Sequence, residues 1–215
     1  MNKDLTEVVF ILDKSGSMSG REDDVIGGFN STLKKQKKQK GECLISTVLF
    51  NDTSEVIHDR ESISKIRNMT EDDFQTSGCT ALIDALGDSI KYIKKVHKVI
   101  RKEDVPAHTL FIITTDGYEN ASHKYTSEEV KKMISKQQEK GWEFIYLAAN
   151  IDAVETGKAF GFKKENMHNY LSDKLGNEAL YDSVGEAICT VRRNVMLKES
   201  KCFDRVDADY ARRSK

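Results

Sequence analysis

The chain has 215 residues, 38% hydrophobic and 32% charged. Its apolar residues fall in compact runs, which excludes a disordered chain, and its length allows a core that needs no disulfide or structural metal. Lysine and arginine total 34 against 35 acids, a net of −1, so the whole-domain basic footprint of a nucleic-acid binder is absent; the longest clearly apolar runs, Val8–Leu12 and Leu110–Ile113, are far short of the ~20 residues that span a bilayer.

Val8–Leu12 (VVFIL) reads as a strand buried on both faces. Asp13 closes it before it reaches signal-peptide length, and Cys43, Cys79, Cys189 and Cys202 form no Cys-x-x-Cys pair. The expectation is a cytoplasmic protein with four free thiols. A helix follows within Asp24–Gln39, with Ile26, Phe29 and Leu33 inward. Its lysine run, Lys34–Lys40, reads as a solvated helix end rather than a nucleic-acid patch. Cys43–Phe50 and Glu55–Asp59 are the next strands. The four residues between them are too few for a crossover, so this pair is expected to be an antiparallel hairpin.

A long helix is expected from about Thr80 to Ile100, because Leu82, Leu86, Ile90, Ile93, Val96 and Ile100 recur at helical spacing. Thr109–Thr115 is a strong buried strand. Thr126 and Glu129 form a capping box that opens another helix, and Gly141 ends it. Trp142–Ala148 is a strand, Ala153–Phe160 a short helix, and Met167–Leu171 a weak edge strand. The last helix is read at Glu178–Met196. Residues 1–200 read as one domain and 201–215 as a polar, frayed tail. Alternating strands and helices with a single proline indicate an α/β doubly wound fold of about six strands, mostly parallel, with one antiparallel edge strand and helices on both faces. Under a strand order of 3-2-1-4-5-6, the first and fourth strands would flank the point where the order reverses.

In such a fold, ligands bind beyond the carboxyl ends of the strands where strand order reverses. The segments arriving there are Asp13-Lys14-Ser15-Gly16-Ser17, Gly78-Cys79-Thr80-Ala81-Leu82 and Thr115-Asp116-Gly117. Two carboxylates and several hydroxyls, with no paired His or Cys, describe a site for a hard divalent cation such as Mg²⁺ or Mn²⁺. The two acids also account for each other, since like charges at close range are unfavourable without a cation between them.

These three motifs, in this order, resemble the metal-ion-dependent adhesion site of von Willebrand factor type A domains, over about Thr6–Gly161. The wording around IGGFNS and TDGYENAS is similar to stand-alone intracellular members from bacteria or phage. The resemblance implies Asp13, Ser15, Ser17, Thr80 and Asp116 as metal ligands, with Asp13 and Asp116 binding directly or through water. It also implies a partner protein's Asp or Glu at an open coordination position. Cys79 departs from the Gly or Ser expected there.

Several residues keep two readings. Met18 packs or touches a partner. Asn150 and Asp152 line the crevice or cap a helix. The five histidines share no metal spacing and are assigned to surface or core. Enzyme motifs are missing: Met18 stands where a Gly-x-Ser-x-Gly elbow needs its serine, and Ser15 stands where an aspartyl phosphatase would carry a second acid. The expected function is a metal-dependent protein-binding module, with neither a nucleic-acid nor a membrane partner. The alternatives are an Mg²⁺-dependent hydrolase or phosphatase, and a scaffold whose metal is purely structural.

Overall fold

The computed structural model describes residues 1–214. Strand β1 (Asn2–Asp13) leads to helix α1 (Glu22–Gln36), then β2 (Glu42–Phe50) and β3 (Ser54–Ser62). Next come α2 (Leu82–Val99), β4 (Pro106–Thr115), α3 (Ser127–Gln138), β5 (Glu143–Ala148), α4 (Ala153–Phe160) and β6 (Met167–Asn169). Helices α5 (Lys174–Arg192) and α6 (Asp204–Arg213) complete the described chain. The sheet order is β3-β2-β1-β4-β5-β6. All neighbours are parallel except β2 and β3. The doubly wound sheet and its antiparallel hairpin edge are therefore as the sequence indicates.

The period of two along β1 sorts the core into two layers. Val8, Phe10 and Leu12 face α1 and α5, together with Phe29, Leu33, Val184 and Ile188. Val9 and Ile11 face α2, α3 and α4, together with Leu86, Ile90, Val130 and Ile134. Each such side chain, when fully buried, contributes roughly 1.5–3 kcal/mol. The long connection after β3 seals the first layer with Ile63, Ile66, Met69 and Phe74.

Boundaries differ where polar residues cap the helices. Helix α1 starts at Glu22, because Glu22, Asp23 and Asp24 suit the positive end of the helix dipole. Thr80 lies outside α2 and does not cap it, which leaves its hydroxyl free for the site. The capping box of Thr126 and Glu129 is formed in both directions. Helix α5 begins a turn early because Asp173 accepts the Gly176 N–H.

The larger correction concerns the C-terminus. Residues 204–213, read as part of a frayed tail, form α6. Phe203 and Val206, three apart, bury against the first core layer. The Phe203 ring stacks on His168 at 4.2 Å, and Asp207 lies 2.9 Å from His168 Nδ1. Arg213 reaches back to Asp173 at 2.6 Å. Phe203, just before this charged decapeptide, and Val206 within it suffice because both bury in the same core layer.

The histidines mostly serve the core or its rim. His58 bonds Thr47 at 3.0 Å. His97 lies 2.6 Å from the wholly buried Glu7, which Arg60 also engages. Burial, aided by the Arg60 charge, lowers the His97 pKa to about 4. No described helix is long and apolar enough to cross a membrane.

Candidate metal centre

The register of the two central strands builds the site. Leu12 lies beside Thr114, so Asp13 and Thr115, the last residues of β1 and β4, end their strands side by side. The Thr115 hydroxyl donates to Asp13 Oδ2 at 2.6 Å. The chain then turns back, and the Ser15 N–H donates to Asp13 Oδ1 at 2.8 Å. This side-chain turn aims Ser15 and Ser17 the same way, with their hydroxyl oxygens 3.1 Å apart. Ser17 Oγ donates in turn to Asp116 Oδ1 at 2.5 Å.

Thr80 arrives from a third segment, laced to the first. The Gly16 N–H donates to Gly78 O at 3.0 Å, and the Ser77 N–H to Lys14 O at 2.9 Å. Gly16 permits this approach, since a Cβ there would lie 3.3 Å from Gly78 O. Asn120 grips Thr80 from both sides: its Oδ1 accepts the Thr80 N–H at 2.9 Å, and its own N–H donates to Thr80 O at 3.1 Å. Gly117 completes the cradle. A Cβ on Gly117 would stand 3.3 Å from Ser17 Oγ and 3.4 Å from Thr80 Oγ1.

The structure thus links Asp13, Ser15, Ser17 and Asp116 through hydrogen bonds, directly or through Thr115 and the Ser15 backbone. It brings Thr80 within reach across Gly117. Asp13, Ser15, Thr80 and Asp116 are buried, while Ser17 is exposed and opens the site to solvent.

Burial raises the Asp13 carboxyl above its usual range; the bonds from Ser15 and Thr115 offset part of this, and Asp116 adds to it by like-charge repulsion. Burial likewise raises Asp116, against the Ser17 bond and the Arg21 charge. The adjacent Lys14 is committed to Glu55 at 2.7 Å. Two buried acids held near each other, surrounded by hydroxyl oxygens and a side-chain-free cradle, fit a hard cation. Among the described residues no group of three or more His, Cys, Asp or Glu is placed to hold a metal; three of the five donors here are hydroxyls.

Residues given no role from sequence support this arrangement. Glu119 accepts N–H groups from Ile83, Ala121 and Ser122. Asp84, in the first turn of α2, accepts those of His123, Lys124 and Tyr125. Together they latch the loop after Asp116 to α2. Asp52 accepts the Cys79 N–H at 3.1 Å and fills the space beside Gly78, whose φ is +74°. A carboxylate aimed at a backbone across loops has no sequence period, so only the neighbouring turn residues hinted at these roles. Met18 is buried, which settles it as packing. Asp152 caps α4.

No protein-family model and no curated protein matches the sequence. Solved structures do. The vWF domain of the type V pili tip protein Mfa5 from Porphyromonas gingivalis superposes with a TM-score of 0.62 at 11% identity, over 89% of this chain and 96% of that one. The fold is that of a von Willebrand factor type A domain. A von Willebrand factor type A protein from Catenulispora acidiphila shares it, with a TM-score of 0.55 at 12% identity, over 86% of this chain and 42% of that one. So does proximal thread matrix protein 1 of the mussel byssus, in a structure with a zinc-occupied MIDAS motif, with a TM-score of 0.55 at 13% identity, over 88% and 47%. The chain spans under half the length of these last two proteins. In this type A fold the five candidate ligands sit beyond the carboxyl ends of β1 and β4, where strand order reverses.

Proposed function

We propose that this chain is a divalent-metal-dependent protein-binding module acting as a single unit in the cytoplasm, and that Asp13, Ser15, Ser17, Thr80 and Asp116 hold Mg²⁺ or Mn²⁺. The observation that carries the reading is the convergence of Ser15, Ser17 and Asp116 in one hydrogen-bonded chain, with Thr80 across Gly117. When bound, the cation supplies positive charge at the exposed Ser17 mouth, where an Asp or Glu of a partner protein completes the set.

The chain's own residues do the positioning. Thr115 and the Ser15 backbone orient the Asp13 carboxylate. Asn120 presents Thr80. The latch through Asp84 and Glu119 keeps Asp116 and Asn120 in register with α2. The zinc-occupied motif named for the mussel protein supports divalent-metal binding by this fold. Binding is preferred to hydrolysis because both carboxylates serve the cation in this reading, which leaves neither as nucleophile or base.

The test is capture by the immobilised chain in Mg²⁺ against EDTA, beside a phosphatase and esterase screen under the same two conditions. Metal-dependent capture without turnover supports the proposal. Capture that is indifferent to EDTA, or metal-dependent turnover, refutes it.

A further inference from the structure

The net charge of −1 conceals a segregation that the fold creates. Helices that cross over between parallel strands run back along the sheet, so the last turns of α1, α2 and α3 collect at the end opposite the metal centre. The exposed lysines Lys38, Lys40, Lys98, Lys136 and Lys140 lie in or just after those turns, and Lys94 lies one turn before the last of α2. None of the six forms an ion pair among the described residues. Continuity of this face is visible in its contacts. Lys94, Lys98 and Lys140 line one cavity of about 340 Å³ between α2, α3 and the start of β4. Arg192, at the end of α5, donates to Gln36 O, Lys40 O and Gly41 O at the end of α1. Asn194 just beyond it bonds His108 at the start of β4.

Acids such as Glu42 and Glu139 interrupt this face without pairing with these lysines, and Arg101 takes Glu103 and Asp104. The crest, by contrast, carries Asp13 and Asp116, with Glu22, Asp23 and Asp24 in the first turn of α1.

The same end also exposes aliphatic side chains. Val99, beside Lys98, is 73% exposed, and Val195 and Met196 after α5 are 40% and 52% exposed. Lysine ammoniums on flexible stems around protruding aliphatic residues match an anionic bilayer surface, where charge attracts and short apolar groups enter the headgroup region. Single-stranded nucleic acid would instead be met by aromatic stacking, and the ring at this end, Trp142, is 8% exposed, covered by His97 and Phe111.

We propose that the basic end of the sheet, formed by the C-termini of α1, α2 and α3, docks the protein peripherally on anionic lipid membranes and presents the metal centre away from the lipid. This departs from the expectation of no membrane partner, which rested on the lack of an apolar run long enough to span a bilayer. It stands apart from the proposed binding function, because none of its residues touches the metal centre.

The test is co-sedimentation of the full chain with phosphatidylcholine vesicles, with and without about one-third phosphatidylserine. It is run at about 0.1 M and about 1 M salt, where screening lengths are about 10 and 3 Å. Binding is expected only to the anionic vesicles, and to be lost at high salt. Each lysine near such a surface contributes about fivefold to partitioning, so Lys94→Ala, Lys98→Ala and Lys140→Ala combined should lose roughly 100-fold at unchanged melting temperature. Val99→Ser should lose about tenfold with the salt dependence retained. Failure to bind anionic vesicles at low salt overturns the proposal. So does undiminished binding by the triple variant, or a preference for a DNA or RNA duplex over the vesicles.

Discussion

Asp13→Asn separates the cation's role from the fold's. The geometry keeps both hydrogen bonds in number. An Asn Oδ1 can accept the Ser15 N–H, which now reaches Asp13 at 2.8 Å. An Asn Nδ2 can donate to Thr115 Oγ1, which now lies 2.6 Å from the carboxylate. Thr115 then turns its hydrogen to Gly117 O, 3.2 Å away. What the variant removes is a charge at a wholly buried position.

Because burial outweighs the hydrogen bonds, the folded Asp13 pKa is raised. Its contribution to stability is therefore fully present below the unfolded-state pKa, and is lost as pH rises through the folded value. At neutral pH without metal, the neutral variant should be the more stable by about 1 kcal/mol, the size of gain a single stabilising substitution commonly gives. For a chain of this size that is roughly 2–4 °C in melting temperature. The wild type should recover with metal. At 100 times the dissociation constant, a ligand adds about 2.7 kcal/mol, or roughly 5–10 °C, and the order inverts. The assay is a melting series in EDTA and in Mg²⁺, from acid to neutral pH, with the EDTA gap widening as pH rises. A variant that melts below the wild type in EDTA at neutral pH, or one that keeps the full Mg²⁺ shift, refutes the reasoning.

Thr80→Ala should keep the fold, since Thr80 does not cap α2, yet abolish metal-dependent capture; capture that survives both the substitution and EDTA would place recognition elsewhere. Gly117→Ala puts a methyl 3.3 Å from Ser17 Oγ and 3.4 Å from Thr80 Oγ1, so the Mg²⁺ melting shift should vanish with little change in EDTA, and an intact shift would remove Gly117 from the cradle. Asp84→Ala strips the acceptor from three backbone N–H groups and should cost about 2–3 kcal/mol, read as a melting drop of roughly 4–12 °C; a loss within 1 °C would mean that water replaces the latch. All four cysteines are free, so denaturing titration should count four thiols. In the native protein the exposed Cys79 should react first, while Cys43, buried with its pKa pushed up to about 12, should stay inert; early reaction at Cys43 would indicate a loosened β2.

Much of the fold is local in origin and so visible in the chain. Runs such as VVFIL and TLFIITT declare buried strands, because a side chain every second residue meets a core on each face. The four-residue link after Phe50 allows only an antiparallel neighbour. Asp13, Ser15, Ser17, Thr80 and Asp116 stand out because strand ends and loop hydroxyls have short sequence signatures, and topology then carries those ends to one edge. The supporting groups lacked any such signature. Asn120 to Thr80 and Asp84 to His123 join residues about 40 positions apart, and single polar side chains across loops follow no period. Helix α6 escaped for a similar reason, since Phe203 and Val206 mean little until His168 and the first core layer supply a groove. The charge segregation is likewise a product of assembly. The lysine run at the end of α1 reads alone as solvated, and only the return of the crossover helices along a parallel sheet sets the ends of α1, α2 and α3 at one end of it, opposite the acids of the crest.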